Sequence, residues 1–143
     1  MKSVLITLFL ALSVSQVAAQ KVYVTSSAND IIGQRFTFAL KEAVRKSATW
    51  SLVPTSGTDF RVELVSINPD SGIDTQHQTA ISVTIEFEGV SQDCKMCRWP
   101  LDHEIYIVGS EKVDEMSGTL LAKLDQISGD IKQVIAAATP AKP

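Results

Sequence analysis

Cys94 and Cys97 are the only cysteines in the chain, and they stand three residues apart in Cys94-Lys95-Met96-Cys97. Two thiols at that spacing can close a disulfide, exchange disulfides with other proteins, anchor a haem or supply half of a zinc site. Haem attachment requires histidine directly after the second cysteine, and Arg98 stands there. A thioredoxin-type role needs the first cysteine at a helix amino terminus, where the dipole lowers the thiol pKa. Lys95 and Arg98 would favour a thiolate, yet the segment runs into Arg98-Trp99-Pro100 and leaves no room for a helix. Zinc would need Cys94 and Cys97 completed by His103 and by His77 from the preceding loop, and beyond the cysteine pair no spacing is specific to metal. The simplest chemistry in an oxidising compartment is a disulfide. Closing so small a ring constrains the unfolded chain by only about 2 kcal/mol, so the bridge shapes its loop more than it holds the fold.

Lys95, Met96, Arg98, Trp99 and Leu101 surround the cysteines, and a stapled loop with tryptophan, methionine and arginine has the composition of an interface hot spot. The competing role for Trp99 is to fold back over the open end of a sheet. Catalysis finds no anchor: the chain has no G-x-S-x-G elbow, no phosphate-cradling glycine loop and no H-E-x-x-H. Asp102 and Glu104 share one face of a strand and read as surface charge. No catalytic residue and no cofactor is expected.

The compartment follows from the first residues, where Lys2 precedes an apolar run from Val4 to Val14 and then small residues up to Val17-Ala18-Ala19. That is a secretory leader, residues 1–19, with cleavage after Ala19. The run is short of the roughly 20 apolar residues that span a bilayer, so the mature form has no membrane span. The chain holds 13 basic and 16 acidic residues; Lys2 leaves with the leader, so 12 basic residues remain and the mature charge is −4. Lys41, Arg45 and Lys46 form the only dense basic group, which suits the solvated end of a helix better than a nucleic-acid surface. No nucleic acid partner is expected.

These residues need a scaffold. With 143 residues, 45% hydrophobic and 20% charged, the chain suits one globular domain, residues 20–138, ahead of a disordered tail at 139–143. Val22 to Thr25 reads as a strand. Asn29 and Asp30 can cap a helix that carries Ile32, Phe36, Ala39, Leu40, Ala43 and Val44 on one stripe. Trp50 to Val53 follows as a strand stopped by Pro54. The turn at Thr55-Ser56-Gly57-Thr58 predicts that Asp59 to Ile67 runs antiparallel beside it. Asn68 to Gln78 is a turn and loop. Ile81, Val83, Ile85 and Phe87 alternate strictly with polar residues, the pattern of a strand covered on one face only. Gly89 to Asp102 is predicted to be a loop, and His103 to Val108 a strand with Ile105 and Ile107 inward. A long helix from Lys112 presents Val113, Met116, Leu120, Leu124, Ile127, Ile131 and Val134, with a bend or break near Ser128-Gly129. The expected fold is α+β: β-α-β-β-β-β-α, a mixed, mainly antiparallel sheet with two helices on one face.

In its leader, its Lys21 to Pro54 strand-helix-strand unit and its closing strand and helix, the chain resembles small bacterial periplasmic α/β domains. Among these are the amino-terminal domain of the Tol-Pal translocation protein and related domains of envelope-assembly lipoproteins. Such domains dock onto other envelope proteins without catalysis, so the resemblance implies a periplasmic interaction domain with a protein partner. The cysteine loop departs from that pattern, and no functional residue carries over.

Overall fold

The computed structural model describes residues 19–56, 59–69, 77–91 and 93–138. The expected tail, and the expected leader apart from Ala19, lie outside them. The elements are β1 (Gln20–Ala28), α1 (Ile31–Lys46), β2 (Trp50–Val53), β3 (Phe60–Ile67), β4 (Gln78–Ser91), β5 (Cys94–Gly109) and α2 (Val113–Ala138). This is the expected α+β order. The five strands form one mixed sheet in the order β2-β1-β3-β4-β5, with β1 parallel to β2 and β3, and the longer β3-β4 and β4-β5 ladders antiparallel.

The crossover helix is built as its sequence dictates. Asp30 is the N-cap, in extended backbone, and its Oδ1 accepts the Gly33 amide at 2.7 Å. Ile32, Phe36, Leu40 and Val44 are fully buried, each stabilising the fold by roughly 1.5–3 kcal/mol relative to exposure. The same cap carboxylate reaches into the sheet, where Oδ2 accepts from the Ser66 hydroxyl and lies 3.1 Å from Thr79 Oγ1. One buried acid thus joins the start of α1 to the end of β3 and the start of β4. Gly33 makes the approach possible, since a Cβ there would stand 2.3 Å from Ser66 Oγ.

The hairpin expected between Trp50–Val53 and the following strand does not form. β2 pairs with β1 from Gln20 to Tyr23, and β3 pairs with the opposite side of β1 from Val22 to Ala28. A short polar turn looks the same locally whether the chain folds back or passes to the far side of a neighbouring strand, so turn chemistry alone could not decide this.

The inner face of the sheet carries Val22, Val24, Phe60, Val62, Leu64, Ile81, Val83 and Ile85, all buried under the helices. An aromatic row crosses one end of it: Trp50 to Phe60 at 5.1 Å between centroids, Phe60 to Phe87 at 5.7 Å and Phe87 to Trp99 at 6.0 Å. α2 buries Val113, Leu120 and Leu124, and sets small Ser117 and Ser128 where it lies close to its neighbours. Its apolar stripe ends sooner than expected, because Val134 is 68% exposed. The helix is continuous through Gly129, with no break.

β5 is out of phase with its expected orientation. Ile81 stands opposite Tyr106, Val83 opposite Glu104 and Ile85 opposite Asp102, so these three β5 residues share the core-facing side. Ile105 and Ile107 therefore point away from the helices, at 68% and 61% exposure.

Candidate functional site

The cysteines do not sit in a loop. β4 and β5 pair as far as Gly89 with Cys97 and Ser91 with Cys94, so both cysteines open a strand at the end of a long hairpin. The β3–β4 ladder ends at Phe87, with the Asp59 carbonyl accepting the Glu88 amide at 3.2 Å, and beyond that point the hairpin is, among the described residues, a two-stranded arm. The register shifts between Gly89 and Ser91, opposite the cysteines. Cys94 and Cys97 are disulfide-bonded with Cα atoms 5.6 Å apart, where four residues of plain strand would hold them about 10 Å apart. The bridge thus fixes a local fold-back at the arm's end. Cys94 opens no helix, so the dipole that would sharpen a thiolate is missing.

Of the five residues expected around the bridge, three are engaged within the molecule. Arg98 Nε donates to Glu88 Oε1 at 2.9 Å, neutralising a carboxylate whose side chain is 1% exposed. Trp99 stacks against Phe87 and lies over Gly89, yet stays 41% exposed. It closes the aromatic row at the end of the sheet and keeps an open face. Leu101 packs against the core at a bulge between Ile85 and Glu86. Lys95 and Met96 are exposed.

The zinc donors are not brought together. His77 precedes β4 at one end of the hairpin while Cys97 lies near the other, a separation on the order of 35 Å along the strand. His103 is exposed on the outer face, its Nε2 2.9 Å from Ser82 Oγ. With both sulfurs consumed in a disulfide, no thiolate ligand remains. Among the described residues, no group of three or more His, Cys, Asp or Glu could hold a metal ion.

Asp102 and Glu104 are more than surface charge. They face α2, where Lys123 Nζ lies 2.5 Å from Asp102 Oδ2 and donates to Glu104 Oε1. The Tyr106 hydroxyl donates to the other Glu104 oxygen. Partial burial, and then the Asp102 charge, raise the Tyr106 pKa above its ordinary value. Two residues beyond Lys123, Asp125 Oδ1 accepts from Trp50 Nε1 at 2.7 Å and from Thr49 Oγ1 at 3.0 Å. α2 is therefore pinned to β5 by a lysine and to the start of β2 by an aspartate.

Sequence reasoning missed the outer face of the sheet. One half of it is polar: Arg61 lies 5.8 Å from the Tyr23 ring centroid and pairs with Glu63 at 3.2 Å and Glu86 at 3.4 Å. The other half is apolar. Ile67, Ala80 and Ile107 line up in one row, and Val65, Ser82 and Ile105 in the next. Ile67 is 67% exposed, as open as Ile105 and Ile107 across β4 from it. Among the described residues, no helix covers this apolar part of the sheet face. The signal lay in register: Ile81, Val83 and Ile85 as core residues force their β5 partners inward and the intervening isoleucines outward.

No family model matches the chain, and no curated protein matches it. Among solved structures, a Xanthomonas campestris protein described under family DUF330 superposes with a TM-score of 0.58 at 10% identity, covering 82% of this chain and 90% of that one. The rare lipoprotein B of Shewanella oneidensis gives a TM-score of 0.40 at 9% identity, over 78% of this chain and 98% of its own. The first is a likeness of fold, and the second is too distant to carry an argument. The likeness to the Tol-Pal translocation protein expected from element order is not shown by either.

Proposed function

We propose that this chain is a non-enzymatic docking domain of a bacterial cell envelope, working in the periplasm and gripping a protein partner with the apolar end of its open sheet face. The observation that carries this is that Val65, Ile67, Ile105 and Ile107 are exposed, in two rows completed by the half-buried Ala80 and Ser82, on a face that neither helix covers. In the polar half beside them Arg61 pairs with both Glu63 and Glu86, which leaves one carboxylate charge over, while the rows themselves are uncharged, so the attraction they offer is apolar burial and not charge. The apolar leader pattern and a bridged cysteine pair both suit an oxidising, exported setting. Among the described residues no helix is long and apolar enough to cross a membrane.

The test is a photo-crosslinker at position 107 in cells that naturally produce the protein, with each adduct identified by mass spectrometry. We expect one defined adduct with another envelope protein, lost when Ile67→Asp and Ile105→Asp are introduced, while far-UV circular dichroism is unchanged. Adducts with itself alone, or the same adduct from Thr84 in the polar half, would sink the assignment.

The hairpin end supports a second reading, in which the bridged tip is the contact surface. It projects past β3, its tip is held by Cys94–Cys97, and it exposes Lys95, Met96 and part of Trp99. Met96→Glu separates the two surfaces: a lost adduct moves the contact to the hairpin, and an unchanged one removes the hairpin from it.

A further inference from the structure

We propose that the uncovered edge of β1 is a slot for an extended peptide of a partner protein, anchored by a carboxylate between Lys41 and Arg45. β2 covers β1 only from Gln20 to Tyr23, whereas β3 stays paired on the other side as far as Ala28. Pro54 follows β2 at once and cannot donate to a ladder. Among the described residues, the β2 side of β1 from Val24 to Ala28 therefore has no strand beside it. Five residues of strand span about 17 Å. They turn backbone amides and carbonyls alternately to that side, and an incoming strand uses these groups for affinity.

The surroundings of the slot say what the peptide must carry. A cavity of about 470 Å³ opens where β2 ends, bounded by Tyr23 and Val24 of β1, by Leu52 and Pro54, and by Lys41 and Arg45 of α1. Among the described residues, no carboxylate lines it. Arg45 is paired with Glu42 on the exposed side of the helix, a contact that water screens and a ligand can share. On a chain with a formal net charge of −3, two cations thus meet at the mouth of a free strand edge. The basic group that sequence alone assigns to a solvated helix end is divided here, for Lys46 does not line the cavity. An antiparallel peptide would bring its terminal carboxylate to this mouth, and a parallel one an acidic side chain near its start; both are the same chemistry. The slot stands apart from the Ile105 and Ile107 surface, so either can fail without the other.

The probes are three fluorescent heptapeptides of alternating valine and threonine. One ends in glutamate with a free carboxylate, one begins with glutamate and ends in an amide, and one carries glutamine and an amide and so has no charge. We expect one of the acidic peptides to bind, with amide hydrogen exchange slowed from Val24 to Ala28, and which of the two binds reports the strand direction. Lys41→Gln with Arg45→Gln should weaken binding at least tenfold. Ile105→Asp with Ile107→Asp should leave it unchanged. Failure of both acidic peptides overturns the proposal, as does equal binding of the neutral peptide or of an acidic peptide N-methylated at alternate residues. So does protection of Val24 to Ala28 without peptide that rises with protein concentration, which would place a second copy in the slot.

Discussion

At one side of the sheet β5 runs for 16 residues as the outermost strand, and at the other β2 runs for four and leaves half of β1 bare. A long outer strand invites pairing with other chains, and β5 bears several features that discourage it. Pro100 removes a donor, the bulge after Ile85 interrupts the ladder, and Asp102 and Glu104 are drawn inward onto Lys123. Among the described residues the β1–β2 ladder has no bulge, and its proline, Pro54, lies just past the end of β2 instead of within a strand. Its bare stretch is short, is flanked by a cavity and has cations at its mouth. Length alone would name β5 as the sticky side, whereas side-chain placement names the other one.

The two sides are joined by the aromatic row, so the harshest way to break the contrast is to remove its centre. Phe60 is 1% exposed between Trp50 and Phe87. Phe60→Ala should cost about 3–4 kcal/mol, read as a lower urea midpoint with cooperative unfolding retained. Loss of less than about 1 kcal/mol would mean that the two sides are not coupled through the row.

Next in size is the β5 clamp. Lys123→Met strands two partly buried carboxylates and should cost about 1–2 kcal/mol, discounted from a fully buried pair because Lys123 is 26% exposed. It should also raise hydrogen exchange in β5 more than in β1. Asp125→Ala, which orphans the Trp50 indole donor, should cost about 1 kcal/mol and loosen β2 instead. If both variants loosened the same side, the contrast would collapse.

The smallest effect is alkaline. Folding raises the Tyr106 pKa above its unfolded value near 10.0, through burial and the Asp102 charge. A group raised in this way favours the fold while protonated, so its contribution is complete below pH 10 and fades as pH rises through the folded value. Tyr106→Phe should flatten the loss of stability above pH 10 and leave neutral pH little changed. An identical alkaline slope in both proteins would show that Tyr106 is not the group responsible.

Much of this architecture is legible in the residues themselves. The stripe of Ile32, Phe36, Leu40 and Val44, the Asp30 cap and the strict alternation from Ile81 to Phe87 each follow from local periodicity, and local periodicity survives into the fold. What escaped was set by partners distant in sequence. Ile105 and Ile107 look inward-facing until register with β4 makes Glu104 and Tyr106 the inner residues. The segment from Gly89 to Asp102 looks like a loop because glycine, cysteines and a proline erase its period, although the β4–β5 ladder carries on through it. The place of β2 beyond β1 was invisible for the same reason: Thr55 to Thr58 records a turn and not its destination.

Trp50 and Trp99 are the only tryptophans in the chain, one 3% exposed beside β1 and the other 41% exposed on β5. The molecule therefore comes with its own pair of optical labels: the Trp50 indole should emit to the blue and be shielded from iodide, and the Trp99 indole should be red-shifted and open to it. Quenching resolves their signals, so an event at either flank can be assigned to its side in unlabelled protein.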